Sequence, residues 1–310
     1  MLETEALQKK FKNQLAVDGI NIYMEKGESV GLLGPNGAGK STTISMISSL
    51  IKPTEGDVRL NGKSVVKHPQ LIRNVLGVVP QEIALYEELS AYENLKFFGN
   101  IYRIHGKQLE VKIDKVLRMV GLKERQKDVV KTYSGGMKRR INIAIALLHE
   151  PEILIMDEPT VGIDPQSRSY ILEMVRKLNE EKGLTILYTS HYMEEVERLC
   201  DRVYIMDHGK IIASGTKEEL KRVLSNEETI LIDMHPSSPS LMEALAKDQE
   251  ILQVSETDKG MKLIVPKGSN KLASIFHQTE VFGVQVTNVQ VQIPTLEDVF
   301  LHLTGRTLRD

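Results

Sequence analysis

Along its first two-thirds the chain sets short, wholly apolar runs against longer stretches whose apolar residues recur at helical spacing. "ESVGLL" (28–33), "LGVVPQ" (76–81), "EILIMDE" (152–158) and "GLTILYTS" (183–190) read as strands buried on both faces. Helical patterns between them predict a parallel sheet covered by helices. From Gln81 to Tyr133 the pattern turns helical: Ser90 and Glu93 form a capping box ahead of "AYENLKFFGNIYRI", and "VKIDKVLRMVGL" continues at the same spacing. Residues 82–133 are therefore expected to form an inserted helical subdomain. "VYIMDHGKIIASG" predicts a hairpin turning at His208 and Gly209, and Thr216 with Glu219 caps a further helix. A first domain is expected over 1–225.

Beyond it the text changes to "TILIDM", the turn-rich "HPSSPS", a helical "LMEALA", then "KLIVP" and "VFGVQVTNVQVQ". A last helix is expected from Pro294 and Thr295 through "LEDVFLHL", with Leu296, Val299, Phe300 and Leu303 as its apolar face. Residues 226–310 are thus expected to form a small α+β domain.

Composition narrows the function. A net charge of −2, with no long block of like charge, supplies no field to attract nucleic acid, which is not expected as a partner. One cysteine, Cys200, rules out an internal disulfide framework and fits a reducing compartment. Neither a signal-peptide core nor a run of the ~20 apolar residues that span a bilayer occurs, so any membrane span must come from another polypeptide.

"GPNGAGKST" (34–42) follows one strand and opens a helix, the context a phosphate loop requires. Gly34, Gly37 and Gly39 let successive amides turn inward, Pro35, Asn36 and Ala38 complete the loop, and Thr42 follows in the helix. Lys40 would reach terminal phosphates and the Ser41 hydroxyl would hold Mg²⁺. Asp157 and Glu158 end another strand, at the edge that should also carry the phosphate loop. Because neighbours on a strand point to opposite faces, they are expected to divide the work: Asp157 at the metal, Glu158 as base for the attacking water. His191 ends the next strand, within reach of a γ-phosphate, and Gln81 offers a neutral carbonyl to Mg²⁺ or water.

The order phosphate loop, Gln81, "YSGGM", "ILIMDEPT", "VGIDP", His191 resembles the ATP-binding subunits of ATP-binding-cassette (ABC) transporters over roughly residues 5–220. That resemblance implies a RecA-like P-loop core with N-terminal antiparallel strands. It makes Gln81 the Q-loop, Asp157 and Glu158 the Walker B acid and catalytic glutamate, Asp164 the D-loop acid and His191 the switch histidine. Phe11 takes the place of the aromatic that stacks on adenine. Ser134, Gly135 and Gly136 keep the signature, with Tyr133 and Met137 replacing the usual Leu and Gln; "KRR" after them is expected to be a solvated helix face. Implied partners are a second ATPase subunit, whose ATP the signature would touch, and an integral membrane permease. ATP and Mg²⁺ are the implied cofactors, and the cytoplasmic face of the cell membrane the implied location. The C-terminal part, above all "PTLEDVFLHLTGR", resembles the appendage of bacterial drug and antibiotic exporters. Two other classes compete. A non-transport cassette ATPase would show paired cassettes, zinc cysteines or a coiled-coil insertion, all lacking here; a binding-only regulatory module would not need both Glu158 and His191. Lipid or polysaccharide is the alternative cargo.

Overall fold

A computed structural model describes residues 1–12, 14–222, 227–235, 238–292 and 295–304. The chain divides into two compact units, Met1–Lys217 and Glu218–Arg306. The break falls ahead of the expected boundary at 225, and residues 223–226 lie outside the described ones.

The first unit is built on a six-stranded sheet ordered Lys210–Thr216, Arg202–Asp207, Ser29–Leu33, Thr185–Thr189, Ile153–Asp157, Leu76–Val79. All neighbours are parallel except the edge hairpin that turns at His208 and Gly209. Every residue of Ser29–Leu33 and Thr185–Thr189 is buried, as expected of strands covered on both faces. The register decides what this sheet can do. Leu33 lies opposite Ile205, Asp157 opposite Thr189 and Val79 opposite Met156, so the segments after these strands leave at one carboxyl edge. Gly34–Lys40, Gln81, Glu158 and His191 all belong to those segments.

A second, antiparallel sheet joins Leu2–Phe11 to Gln14–Ile20, Tyr23–Met24 and Glu55–Leu60, with Lys63–Ser64 at its edge. Phe11 pairs with Gln14 at the tip of its hairpin. Leu2, Leu7, Val17 and Met24 from this sheet share one buried cluster with Val30, Leu32, Ile155 and Leu187 of the parallel sheet. That shared core fixes the hairpin tip relative to the carboxyl edge.

The expected helical subdomain contains Ala91–Ile101 and Gly106–Met119. Its first helix starts with the predicted box: the Ser90 hydroxyl accepts from the Glu93 amide at 3.2 Å, and Glu93 accepts from the Ser90 amide at 2.8 Å. The helix Gly135–Leu147 has Ile141 through Leu147 buried without interruption. It is a central helix, surrounded rather than half-solvated.

The second unit is a four-stranded antiparallel sheet, Gln253–Thr257, Gly260–Pro266, Glu227–His235 and Gln285–Gln292 in spatial order. Helices Pro239–Ala246 and Leu272–Val281 bring Leu241, Leu245 and Ile275 into its core with Ile230, Ile232 and Leu263. Pro294 lies outside the described residues; Thr295 caps the final helix, accepting from the Asp298 amide at 3.2 Å. Leu296, Val299 and Phe300 are buried and Leu303 half-buried. Among the described residues, no helix is long and apolar enough to cross a membrane.

Candidate active site

The phosphate loop is shaped by what surrounds it. A Cβ at Gly34 would lie 2.3 Å from the Met206 carbonyl, and one at Gly39, where φ is +106°, 2.5 Å from the Ala16 carbonyl. Both positions therefore exclude a side chain, Gly39 on backbone grounds as well. Gly39 precedes the helix Lys40–Ile47, whose first-turn amides have no intrahelical acceptor and carry the positive end of the helix dipole.

Lys40 is 5% exposed. Its ammonium donates to the carbonyls of Gly34 at 2.7 Å and Pro35 at 3.2 Å, and lies 3.5 Å from Glu158 Oε1. Burial lowers its pKa from the ordinary lysine value, while Glu158 and, more weakly, Asp157 oppose that shift. The same Glu158 oxygen sits 3.0 Å from His191 Nδ1. Lys40, Glu158 and His191 thus form a continuous chain from the phosphate loop to the end of the neighbouring strand.

Glu158 reaches this position differently from the strand alternation expected of it. The strand ends at Asp157, and Glu158 takes φ +46°, in the left-handed region, so the backbone turn directs its side chain. Thr189 pins the turn: its hydroxyl donates to Asp157 Oδ1 at 2.8 Å and accepts from the Glu158 amide at 2.9 Å. Strain of this kind persists only where surrounding contacts over-determine it, and it concentrates at functional sites.

A cleft of about 530 Å³ opens above these groups. Asn36, Gly37, Ala38, Gly39, Lys40, Ser41, Thr42, Gln81 and Glu158 line it, and Phe11, 47% exposed, stands at its side. Gly34, Pro35, Asp157 and His191 do not line it but are joined to the lining by the hydrogen bonds above. Sequence reasoning missed the wall made by Ala16 and the hairpin turn at His208 and Gly209. The Gly209 amide donates to the Ala38 carbonyl at 3.0 Å, and its own carbonyl accepts from Asp18 at 2.8 Å. The turn was legible as a turn, but nothing local marked it as a wall of the site.

Ser134, Gly135, Gly136 and Asp164 do not line the cleft. Ser134 caps the helix Gly135–Leu147, accepting from the Met137 amide at 3.3 Å, and Asp164 caps Pro165–Lys182, accepting from the Ser167 amide at 2.9 Å. That amide holds the Asp164 carboxyl below the usual aspartate range. A Cβ on Gly136 would lie 2.2 Å from Ser167 Oγ, so this glycine is needed for packing within the chain. Ser134 and Gly135 are exposed. The expectation of a solvated "KRR" is overturned. Arg139 is 2% exposed, its guanidinium donating to the carbonyls of Pro80 and Gln81; Arg140 donates to Val120 and lies over the Tyr170 ring. Carbonyl acceptors for both terminal nitrogens of Arg139 reduce the cost of burying its charge.

Comparison with known proteins gives the family. Residues 17–161 match the family model for ABC transporters, and residues 215–304 match that for the ATP-binding protein DrrA1-3-like C-terminal domain. The linearmycin resistance ATP-binding protein LnrL of Bacillus subtilis (strain 168) is 46% identical over the full length of both chains. The chain belongs to the ATP-binding subunits of ABC transporters. The daunorubicin resistance ATP-binding protein DrrA3 of Streptomyces coeruleorubidus is 32% identical to this ABC subunit, over 98% of this chain and 96% of the relative. Among solved structures, a dimeric post-hydrolysis state of an ATP-binding cassette bound to ADP and Pi matches with TM-score 0.64 and 28% identity, over 70% of this chain and 98% of that one. The subunit is therefore an ABC ATPase, of a family that dimerises and serves membrane permeases.

Proposed function

We propose that this ABC ATPase holds Mg-ATP in the cleft beside Phe11 and uses its hydrolysis to drive export of an antibiotic, drug or similar amphiphile through a separate permease. The Lys40–Glu158–His191 chain is the observation that carries the site assignment. In it a buried cation meets the terminal phosphates, Glu158 accepts a proton from the attacking water, and His191 holds Glu158 while approaching the γ-phosphate. Phe11 stacks on adenine, and backbone amides of the loop between Asn36 and Thr42 cradle the phosphates. The Ser41 hydroxyl, the Asp157 carboxylate and the Gln81 amide carbonyl are hard oxygen donors that fit magnesium. Bound there, the metal would neutralise charge on the phosphate oxygens.

Ser134, Gly135, Gly136 and Asp164 serve the ATP of a second ATPase subunit, either another copy or a paralogue. Exposed Tyr86 and Phe97, whose rings meet edge to face at 4.8 Å, provide the apolar surface for a cytoplasmic helix of the permease, at the inner face of the cell membrane. The names of LnrL and DrrA3 support a drug or antibiotic as cargo, and full-length matches to resistance proteins disfavour a non-transport ATPase.

Affinity purification from membranes in mild detergent tests the reading. A co-purifying multi-span protein, together with heightened sensitivity of a deletion strain to amphiphilic antibiotics, is expected. Co-purification of nucleic acid with no membrane partner would overturn it.

A further inference from the structure

Glu195 is a carboxylate 2% exposed, in the helix Met193–Leu199, outside the cleft. Buried carboxylates at this depth require dedicated donors. Four side chains converge on this one. The Thr160 hydroxyl donates to it at 2.7 and 2.8 Å, the Tyr188 hydroxyl at 2.9 Å and the Ser190 hydroxyl at 2.7 Å, while Arg168 Nε lies 3.5 Å away. Tyr188 is a donor throughout the physiological range, because burial first, and the nearby carboxylate second, push its pKa well above the ordinary tyrosine value.

The origins of these donors give the cluster its meaning. Thr160 is two residues beyond Glu158. Ser190 immediately precedes His191, and its oxygen also accepts the Tyr192 amide at 2.9 Å, so it braces both sides of the histidine. Arg168 lies in the first turn of the helix capped by Asp164, and its guanidinium covers the Tyr192 ring at 4.2 Å. One anionic group thus ties together the three segments that carry the base, the histidine and the Asp164 turn.

We propose that Glu195 is a positioning residue for ATP hydrolysis, holding the Glu158 and His191 segments in mutual register from behind. The inference rests on the roles given above to Glu158 and His191. Its chemistry is directional: a carboxylate offers enough lone pairs to accept from three hydroxyls and still face a guanidinium, whereas the isosteric amide has a single acceptor oxygen and directs two hydrogens into donors. Glu195→Gln therefore releases part of the cluster without changing its volume.

The test compares Glu195→Gln, Ser190→Ala and Thr160→Val in the full chain, measuring kcat, ATP affinity and melting temperature, with Glu158→Gln as the control. A displaced base costs chemistry rather than binding, so Glu195→Gln should lower kcat about ten-fold or more with ATP Kd changed less than about two-fold. Ser190→Ala and Thr160→Val should each lower kcat about three-fold and add little to Glu195→Gln, since they act through it. Should Glu195→Gln fail to fold, the two milder variants decide by the same split. Wild-type kcat in the folded variants overturns the inference, as does a fall in kcat matched by an equal loss of ATP affinity, the mark of general loosening. If Glu158→Gln itself keeps its turnover, the site reading fails first. A collapse of Glu158→Gln beside unaffected Glu195→Gln refutes only the positioning role.

Discussion

Replacing Glu158 by Gln removes one charge and almost no volume from a position 6% exposed. Two consequences follow, and they act on different measurements. The first is loss of the base, which typically costs 10²–10⁴-fold in rate, or about 3 kcal/mol and upward of the barrier. The second falls on Lys40, 3.5 Å away. At an effective dielectric near 20, unit charges at that separation attract by roughly 5 kcal/mol, an upper figure because desolvation offsets much of it. Lys40 keeps the Gly34 and Pro35 carbonyls and the more distant Asp157, so the nucleotide-free protein should lose about 1–3 kcal/mol, several degrees in Tm for a domain of this size.

ATP should restore more to the variant than to the wild type, because its phosphates meet a lysine that no longer has a competing glutamate. The expected pattern is turnover down about 10²-fold or more, a lower Tm without nucleotide, a larger Tm rise with ATP, and an ATP-dependent dimer on size-exclusion chromatography. Phosphate release and thermal melts with and without Mg-ATP read all of it. Turnover within about three-fold of wild type refutes the role of base. An ATP-induced shift smaller than wild type refutes the electrostatic reasoning about Lys40.

Ser134→Arg alters an exposed residue and loses a cap worth about 1 kcal/mol, so the variant should fold and bind ATP normally in an isothermal titration yet hydrolyse none; undiminished turnover would sink the shared site. Gly39→Ala and Gly37→Ala should differ sharply in thermal melts. At Gly37, φ is +81° with open space beside it, so alanine costs about 1 kcal/mol, whereas at Gly39 it must also displace the Ala16 carbonyl and should cost roughly 3 kcal/mol or more; equal melts would refute the argument. Cys200 is buried, which pushes its thiol pKa up to about 12. Native protein at pH 8 should resist thiol reagents until denatured, and because only the unfolded thiol ionises above pH 9, its contribution to stability should fade from there toward pH 12.

Much of the catalytic edge was legible because its signals are local. Apolar runs fix the strands, and the glycines, Lys40 and the Asp157–Glu158 pair sit directly at strand ends. What escaped depends on contacts between segments distant in sequence. Arg139 looks like a surface charge until the carbonyls of Pro80 and Gln81 are brought to it, and Glu195 is one of several glutamates on a short helix until Thr160, Tyr188 and Ser190 converge. Gly136 was read only as part of the signature that would touch a second subunit's ATP; Ser167 gives it a reason inside the chain. In the second unit the strand Gln253–Thr257 and helix Leu272–Val281 went unread. The strand is polar and has no buried residue, as an edge strand can be, and the helix mixes Phe276 and Val281 into its exposed face.

On the proposed reading, Ser134 and Gly135 serve ATP although they do not line the cleft that holds Lys40 and Glu158, and this is the structural argument for a dimer. Yet the helix Gly135–Leu147 begins in a form that favours an anion: its first-turn amides lack intrahelical acceptors, Ser134 takes only that of Met137, and Asp164 spends its carboxylate on Ser167. A chain acting alone would leave these amides to water. Set against the ATP of another subunit, they gain an acceptor carrying about four negative charges, and the gain shrinks once the γ-phosphate has left. In the proposed dimer, closure and opening would follow nucleotide state, with the cleft and the helix Gly135–Leu147 each contributing to the attraction.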